Sequence, residues 1–126
     1  MNFPDNLKYT RDHEWISLKG NIGTIGVTDY AQGELGDVVF VDIDPNKKNI
    51  NAGDSIGTIE AVKTVSDIFA PCGGTVVEIN PGLQSTPEVV NSDPYGEGWM
   101  VKIEITNLAE LDALLDAKAY KELIGK

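Results

Sequence analysis

Ile56-Gly57-Thr58-Ile59-Glu60-Ala61-Val62-Lys63-Thr64-Val65-Ser66-Asp67-Ile68-Phe69 is the stretch that decides how this chain folds. It is rich in β-forming residues and contains neither Pro nor Asn. With Ser55 it is far longer than the usual strand of about 5–6 residues. A compact domain would fold such a run back on itself near its middle, at Val62-Lys63. Tight two-residue hairpins favour Asn-Gly or Asp-Gly, because both central residues need positive φ. A β-branched residue is strained there, so a strained turn is predicted at Val62-Lys63. Breaches of local turn chemistry often mark functional places. A lysine forced onto an exposed tip offers its amine from a rigid base, which is the presentation a modifying enzyme requires. The plainer reading is a lysine that solvates a strand, and spacing alone names no chemistry.

Outward from this run, more short strands are predicted between Gly, Asn, Asp and Pro breaks. They cover Trp15–Leu18, Ile22–Val27, Asp37–Ile43, Gly74–Ile79 and Gly98–Ile105, with a hairpin at Lys19-Gly20-Asn21. Thr28-Asp29 caps a short helix near 28–35, stopped by Gly36. A C-terminal helix is expected near 108–124. Asn107 would cap it with Glu110 as capping-box partner, Leu108, Leu111, Leu114 and Leu115 keep helical spacing, and Asp116 caps a further turn or two. The fold class is therefore mostly β, a barrel or sandwich with a terminal helix. A weak echo links Gly36-Asp37-Val38-Val39-Phe40-Val41 to Gly73-Gly74-Thr75-Val76-Val77-Glu78, as if two halves were similar. No linker interrupts the chain, so residues 1–126 are expected to form one domain.

The 126 residues carry 20 acidic and 10 basic side chains, a formal charge of −10. That field repels phosphate backbones and argues against nucleic acid as a partner. It favours solubility and steered encounters with proteins that present basic patches. No apolar run approaches the ~20 residues of a membrane helix, and the first residues show neither a signal nor a transit pattern. The expectation is a cytoplasmic monomer with no membrane partner. Cys72 is the only cysteine, which excludes an internal disulfide and multi-cysteine metal sites. It sits in Pro71-Cys72-Gly73-Gly74 without a basic neighbour and reads as a passive small residue.

The chain resembles the glycine-cleavage H-protein family along nearly its whole length. The resemblance is carried by Lys8-Tyr9-Thr10, His13-Glu14-Trp15, Ile25-Gly26-Val27-Thr28, Ala31-Gln32 and Leu35-Gly36-Asp37-Val38-Val39-Phe40-Val41. It continues through Glu60-Ala61-Val62-Lys63, Ser66-Asp67-Ile68, Val77-Glu78-Ile79-Asn80 and Asn91-Ser92-Asp93-Pro94-Tyr95-Gly96-Glu97-Gly98-Trp99, in the family's order and spacing. Departures fall at Ala61, where the family commonly has Ser, at Cys72-Gly73, and at Ile43-Asp44-Pro45-Asn46-Lys47. They put loop shape in doubt and leave the lysine and its acidic flanks in place.

The resemblance implies a flattened β-barrel of lipoyl-domain type, with lipoate amide-linked to Lys63. In the family this arm takes an aminomethyl group from a pyridoxal-phosphate glycine decarboxylase and presents it to a tetrahydrofolate-dependent aminomethyltransferase. A dihydrolipoyl dehydrogenase then reoxidises the dithiol, and the carrier itself is no enzyme. Glu60, Val62 and Asp67 are the candidates for recognition by a lipoate-attaching enzyme, with the two carboxylates expected to come close across the hairpin. Asp12, His13, Glu14 and Asp67 are the candidates for a cleft that shelters the loaded arm, since a carboxylate accepts hydrogen bonds from a cationic amine. Glu14 leads, with the Trp15 ring expected to wall one side, and His13 is expected to be a structural histidine beside Trp15.

Several readings compete. A biotin carrier places Met on both sides of its lysine, where Val62 and Thr64 stand here. A 2-oxoacid dehydrogenase lipoyl domain lacks the His13-Glu14-Trp15 stretch and the terminal helix. A relay that donates lipoate to other carriers shares the whole pattern. A hydrolase or metalloenzyme finds no nucleophile motif or metal-spaced ligand set.

Overall fold

The computed structural model describes residues 2–126. The long β-rich run folds back as β6 (Ser55–Ala61) and β7 (Val65–Phe69), with Glu60 opposite Val65 and Thr58 opposite Asp67. Its turn is not the strained one predicted. Neither Val62 nor Lys63 has positive φ, and His13, at 69°, is the only non-glycine among the described residues that does. The Ala61 N–H donates across the turn to the Thr64 carbonyl at 2.8 Å. The Val62 N–H leaves the hairpin and donates to the Asp37 carbonyl at 3.0 Å. A bond from outside the hairpin thus replaces the conformational fit that an Asn-Gly pair would have supplied.

Asp37 leads into β4 (Val38–Ile43), which pairs with the other edge of β6 to complete a three-stranded sheet, β4-β6-β7. The second sheet has six strands. Its order is β1 (Lys8–Tyr9), β2 (Glu14–Lys19), β3 (Ile22–Val27), β9 (Val101–Ile105), β8 (Gly74–Ile79) and β5 (Asn49–Ile50). The two sheets remain separate rather than closing into a barrel. They share one core, in which Ile16, Ile25, Ile103 and Val101 from the larger sheet meet Val41, Ile56, Ile59 and Ile68 from the smaller. Cys72 is buried in that core. The two echoing segments, in β4 and β8, each carry a β-bulge, between Val38 and Phe40 and between Val76 and Glu78.

Helix α1 (Asp29–Leu35) begins and ends as its caps predict. The Thr28 hydroxyl accepts from the Ala31 N–H, and Gly36 closes it at φ 80°. The single C-terminal helix expected near 108–124 is instead two pieces. A 3₁₀ segment, Leu108–Ala113, precedes α3 (Ala117–Leu123), which Asp116 caps by accepting from the Ala119 N–H. Between them Leu115 is extended and exchanges both backbone hydrogen bonds with Tyr9, at 2.8 Å each. Strand pairing takes those backbone groups from the helix. Asn107 does cap the first piece, but Glu110 closes no capping box. Its carboxylate accepts from the Gly73 N–H at 2.9 Å. A 3₁₀ turn at Pro81–Gln84 and α2 (Val89–Ser92) lie where no helix was expected.

Helix α3 docks on the outside of β1 and β2 through a second apolar cluster of Phe3, Leu7, Tyr9, Trp15, Ala117 and Tyr120. The Tyr9 and Tyr120 rings stack at 4.8 Å. No helix among the described residues is long and apolar enough to cross a membrane.

Candidate functional site

Lys63 stands exposed at the β6–β7 tip and forms no ion pair among the described residues, where the one such pair is Lys102–Glu78. Its stem lies over Gly36, the residue that ends α1. A Cβ at position 36 would come within 3.2 Å of Lys63 Cε. Glycine is therefore needed there twice, for the left-handed φ and for the passage of the lysine side chain. Asn91 fixes this crossing point. Its side-chain amide donates to the Gly36 carbonyl (2.8 Å) and to Gln32 Oε1 (3.1 Å), and its oxygen accepts from the Val38 N–H (2.8 Å).

Leu35, the residue before Gly36, lines a cleft of about 130 Å³ together with Ala31 and Glu34 of α1 and with Asp12, His13 and Glu14. Ile59, Ser66 and Asp67 of the lysine hairpin close it. The sequence-derived cleft residues Asp12, His13, Glu14 and Asp67 thus do line one hollow. Larger hollows, of about 300 and 340 Å³, lie elsewhere, around Trp99 and around Ser92.

Glu14 is the chemically unusual member, with only 2% of its surface exposed. Oε1 accepts from the Thr10 hydroxyl at 2.7 Å and Oε2 accepts from the Phe69 N–H at 3.1 Å. Burial disfavours its charged form and raises its pKa to about 7, against the lowering effect of those two hydrogen bonds, while Asp12 raises it further. Asp12 and Asp67 are exposed at the rim.

The His13 ring packs against two tyrosines rather than against Trp15. Its Nδ1 lies 2.9 Å from the Tyr120 hydroxyl, and its ring packs against Tyr30 at 5.0 Å. Burial lowers its pKa, opposed by Asp12 and Glu34. Trp15 does not wall the cleft. As the next residue on β2 it points to the opposite face, into the second apolar cluster, where its indole N–H donates to the Pro94 carbonyl at 3.1 Å.

The recognition candidates separate. Glu60 and Val62 are exposed near the tip. Glu60 and Asp67 do not face each other across the hairpin, because Glu60 pairs with Val65 and Asp67 with Thr58. They are diagonal neighbours on one face, and only Asp67 reaches the cleft. Sequence reasoning missed Gly36 and Asn91 as site residues. Gly36 was legible as a helix stop, but its contact with Lys63 is long-range; Asn91 carried no local signal.

These features suit a lysine-borne arm. The amine is free and exposed, the crossing residue has no side chain, and the adjoining hollow approaches the ~150 Å³ that admits a benzene ring. No cluster of three or more metal-ligating side chains occurs among the described residues.

Comparison with known proteins agrees. A sequence model of the glycine cleavage H-protein matches residues 7–126. The glycine cleavage system H protein of Bacteroides fragilis is 56% identical over 125 residues, covering 99% of both chains. That of Bacteroides thetaiotaomicron is 52% identical over the same extent. The crystal structure of a glycine cleavage system H protein from Mycobacterium marinum superposes with a TM-score of 0.89 at 36% identity, over 98% of this chain and all of the other. A free lysine on a braced hairpin, a glycine crossing and a carboxylate-lined cleft are therefore found in a chain that belongs to the glycine cleavage H-protein family.

Proposed function

We propose that Lys63 is the attachment point of the lipoyl group in this carrier of the glycine cleavage system. The protein is a carrier and not a catalyst. It serves the glycine decarboxylase, the aminomethyltransferase and the dihydrolipoyl dehydrogenase, and receives its cofactor from a lipoate-attaching enzyme. The bound group supplies a disulfide–dithiol pair that carries the aminomethyl cargo and then electrons. The chain supplies placement, and its tether converts successive encounters into nearly intramolecular ones.

The observation that carries the assignment is the exposed Lys63 stem lying across Gly36, next to the cleft that Glu14 and Asp67 help to line. Gly36 leaves the passage open, Asn91 holds its carbonyl, and Glu14 presents a buried carboxyl whose charged form an approaching cationic amine would favour. Asp12 and Asp67 add exposed negative charge at the mouth. Peptide mapping of protein from cells fed lipoate should find the added mass on Lys63, and Lys63→Arg should abolish it. Uptake of lipoate by Lys63→Arg would overturn the assignment.

Two further readings belong here. Residues 1–126 act as one folding unit, supported by the Leu115–Tyr9 pairing that ties the C-terminal segment to β1; a single cooperative melting transition would be expected. The protein is further inferred to work in the cytoplasm, and cell fractionation checks this.

A further inference from the structure

The outer face of the three-stranded sheet carries an apolar group that the carrier role leaves unexplained. Val39 is 50% exposed, Phe40 47%, Val62 75% and Val65 61%. The register places Phe40, Glu60 and Val65 side by side in one row, with Asp42, Thr58 and Asp67 in the next. An alternating strand would turn one of Val39 and Phe40 inward. The β4 bulge prevents that, leaving both exposed between the buried Val38 and Val41. Bulges commonly re-aim side chains beside functional sites. Here the bulge sets two apolar side chains next to Glu60, just below the Lys63 tip. Asp37, Asp42, Glu60 and Asp67 are all exposed around them, on a chain of net charge −10.

We propose that this bulged row is the docking surface for the lipoate-attaching enzyme. The surface fits a partner with an apolar socket, filled by Phe40 and Val65, inside a basic rim facing Glu60, Asp42 and Asp67. The proposal rests on Lys63 being the attachment point. The chemistry selects this partner over the enzymes that act on the loaded arm. To form the amide, the Lys63 amine must attack the lipoyl carbonyl directly. The new C–N bond replaces the bond to the activating group, AMP in a lipoyl-adenylate, which departs as the amine loses its proton. The attaching enzyme must therefore bring its reacting carbon to the hairpin tip and pack against the residues around it. The other enzymes react at the sulfur end of the arm, so their chemistry does not require contact with these residues. Ile59 and Ser66, which oppose each other in the register, line the cleft from the other face of the hairpin and only Asp67 reaches it from the outer face, so Phe40, Glu60 and Val65 stay free for this contact.

The test uses the full-length, unlipoylated chain with a purified lipoate–protein ligase, ATP and lipoate. Phe40→Ser and Val65→Ser should each lower kcat/KM for lipoyl transfer about tenfold, mainly through KM. Val77→Ser, which alters a comparably exposed valine on the other sheet, should leave it unchanged. Asp42→Asn should weaken the salt dependence of the on-rate. Should Phe40→Ser fail to fold, the Lys63→Arg chain can be mixed with the charged ligase, since it docks without reacting. Amide exchange across Val39–Val41 and Val65–Ser66 should then slow in the complex. Wild-type transfer rates for both patch variants, or exchange at these amides unchanged by the ligase, would overturn the proposal. So would variants that take lipoate normally but are loaded poorly by glycine decarboxylase. Lipoate found on another lysine would instead defeat the attachment-site reading, and mapping separates that result from the others.

Discussion

Two of the tight hairpins among the described residues solve the same geometric problem by different means. At the β2–β3 turn, Lys19 pairs with Ile22 and Gly20 takes φ 64°. Gly20 supplies the positive φ that a right-twisted two-residue loop requires, so the turn is self-sufficient. At the β6–β7 turn there is no glycine and no positive φ, and the tip is held from outside. The Val62 N–H is tied to Asp37, and the Phe69 N–H at the far end of β7 is tied to the buried carboxylate of Glu14. A turn closed by its own backbone needs only its sequence. A turn braced by neighbours keeps a Val-Lys tip in place, and the lysine stays available for chemistry.

The sharpest separation of the two hairpins is functional. Lys63→Arg should remove all lipoylation, whereas Lys19→Arg should leave it intact by intact-mass measurement. Next in size is the pH dependence of the brace at Glu14. Its pKa is raised in the fold to about 7 from an ordinary 4.5, so its contribution to stability is fully present below pH 4.5 and lost as pH rises through 7. Relative to wild type, Glu14→Gln should gain on the order of 1–3 kcal/mol between pH 4.5 and 8, read from denaturant midpoints. A gap that does not change with pH would mean that Glu14 titrates normally.

Smaller effects distinguish the turns themselves. Gly20→Ala should cost about 1 kcal/mol, through backbone strain alone. Nothing lies within 4 Å of the added methyl group. Val62→Pro removes the bond to Asp37 and should cost about 0.5–1.5 kcal/mol, while also slowing lipoyl transfer. If Val62→Pro is neutral in both readouts, the outside brace is not what holds the tip. Glu60→Gln should change stability by less than about 0.5 kcal/mol while slowing modification. Equal modification rates would remove Glu60 from recognition.

What could be read in the sequence was local. Thr28, Gly36, Asn107 and Asp116 act as caps because each satisfies backbone groups within a few residues of itself. The fold-back near Lys63 followed from length alone. What could not be read depends on partners distant in sequence. Glu110 had a plausible local partner and chose Gly73, and Leu115 had helical spacing and chose Tyr9. The turn at Val62-Lys63 looked strained only because Asp37, 25 positions away, could not be placed. In the site, Asp12, Glu14 and Asp67 were found through the resemblance, whereas the orientation of Trp15 needed only the strand's alternation, applied one residue further.

The burial of Cys72 has a consequence for a protein whose work is sulfur exchange. Burial, helped by Glu110, raises its thiol to about 11, and none of its surface is open to solvent. Only about one part in ten thousand would be thiolate at neutral pH, and that fraction has no route to a disulfide. The swinging ring therefore meets no competing nucleophile on its own scaffold. The carrier cannot trap itself as a mixed disulfide, and every productive exchange is left to the enzymes it visits.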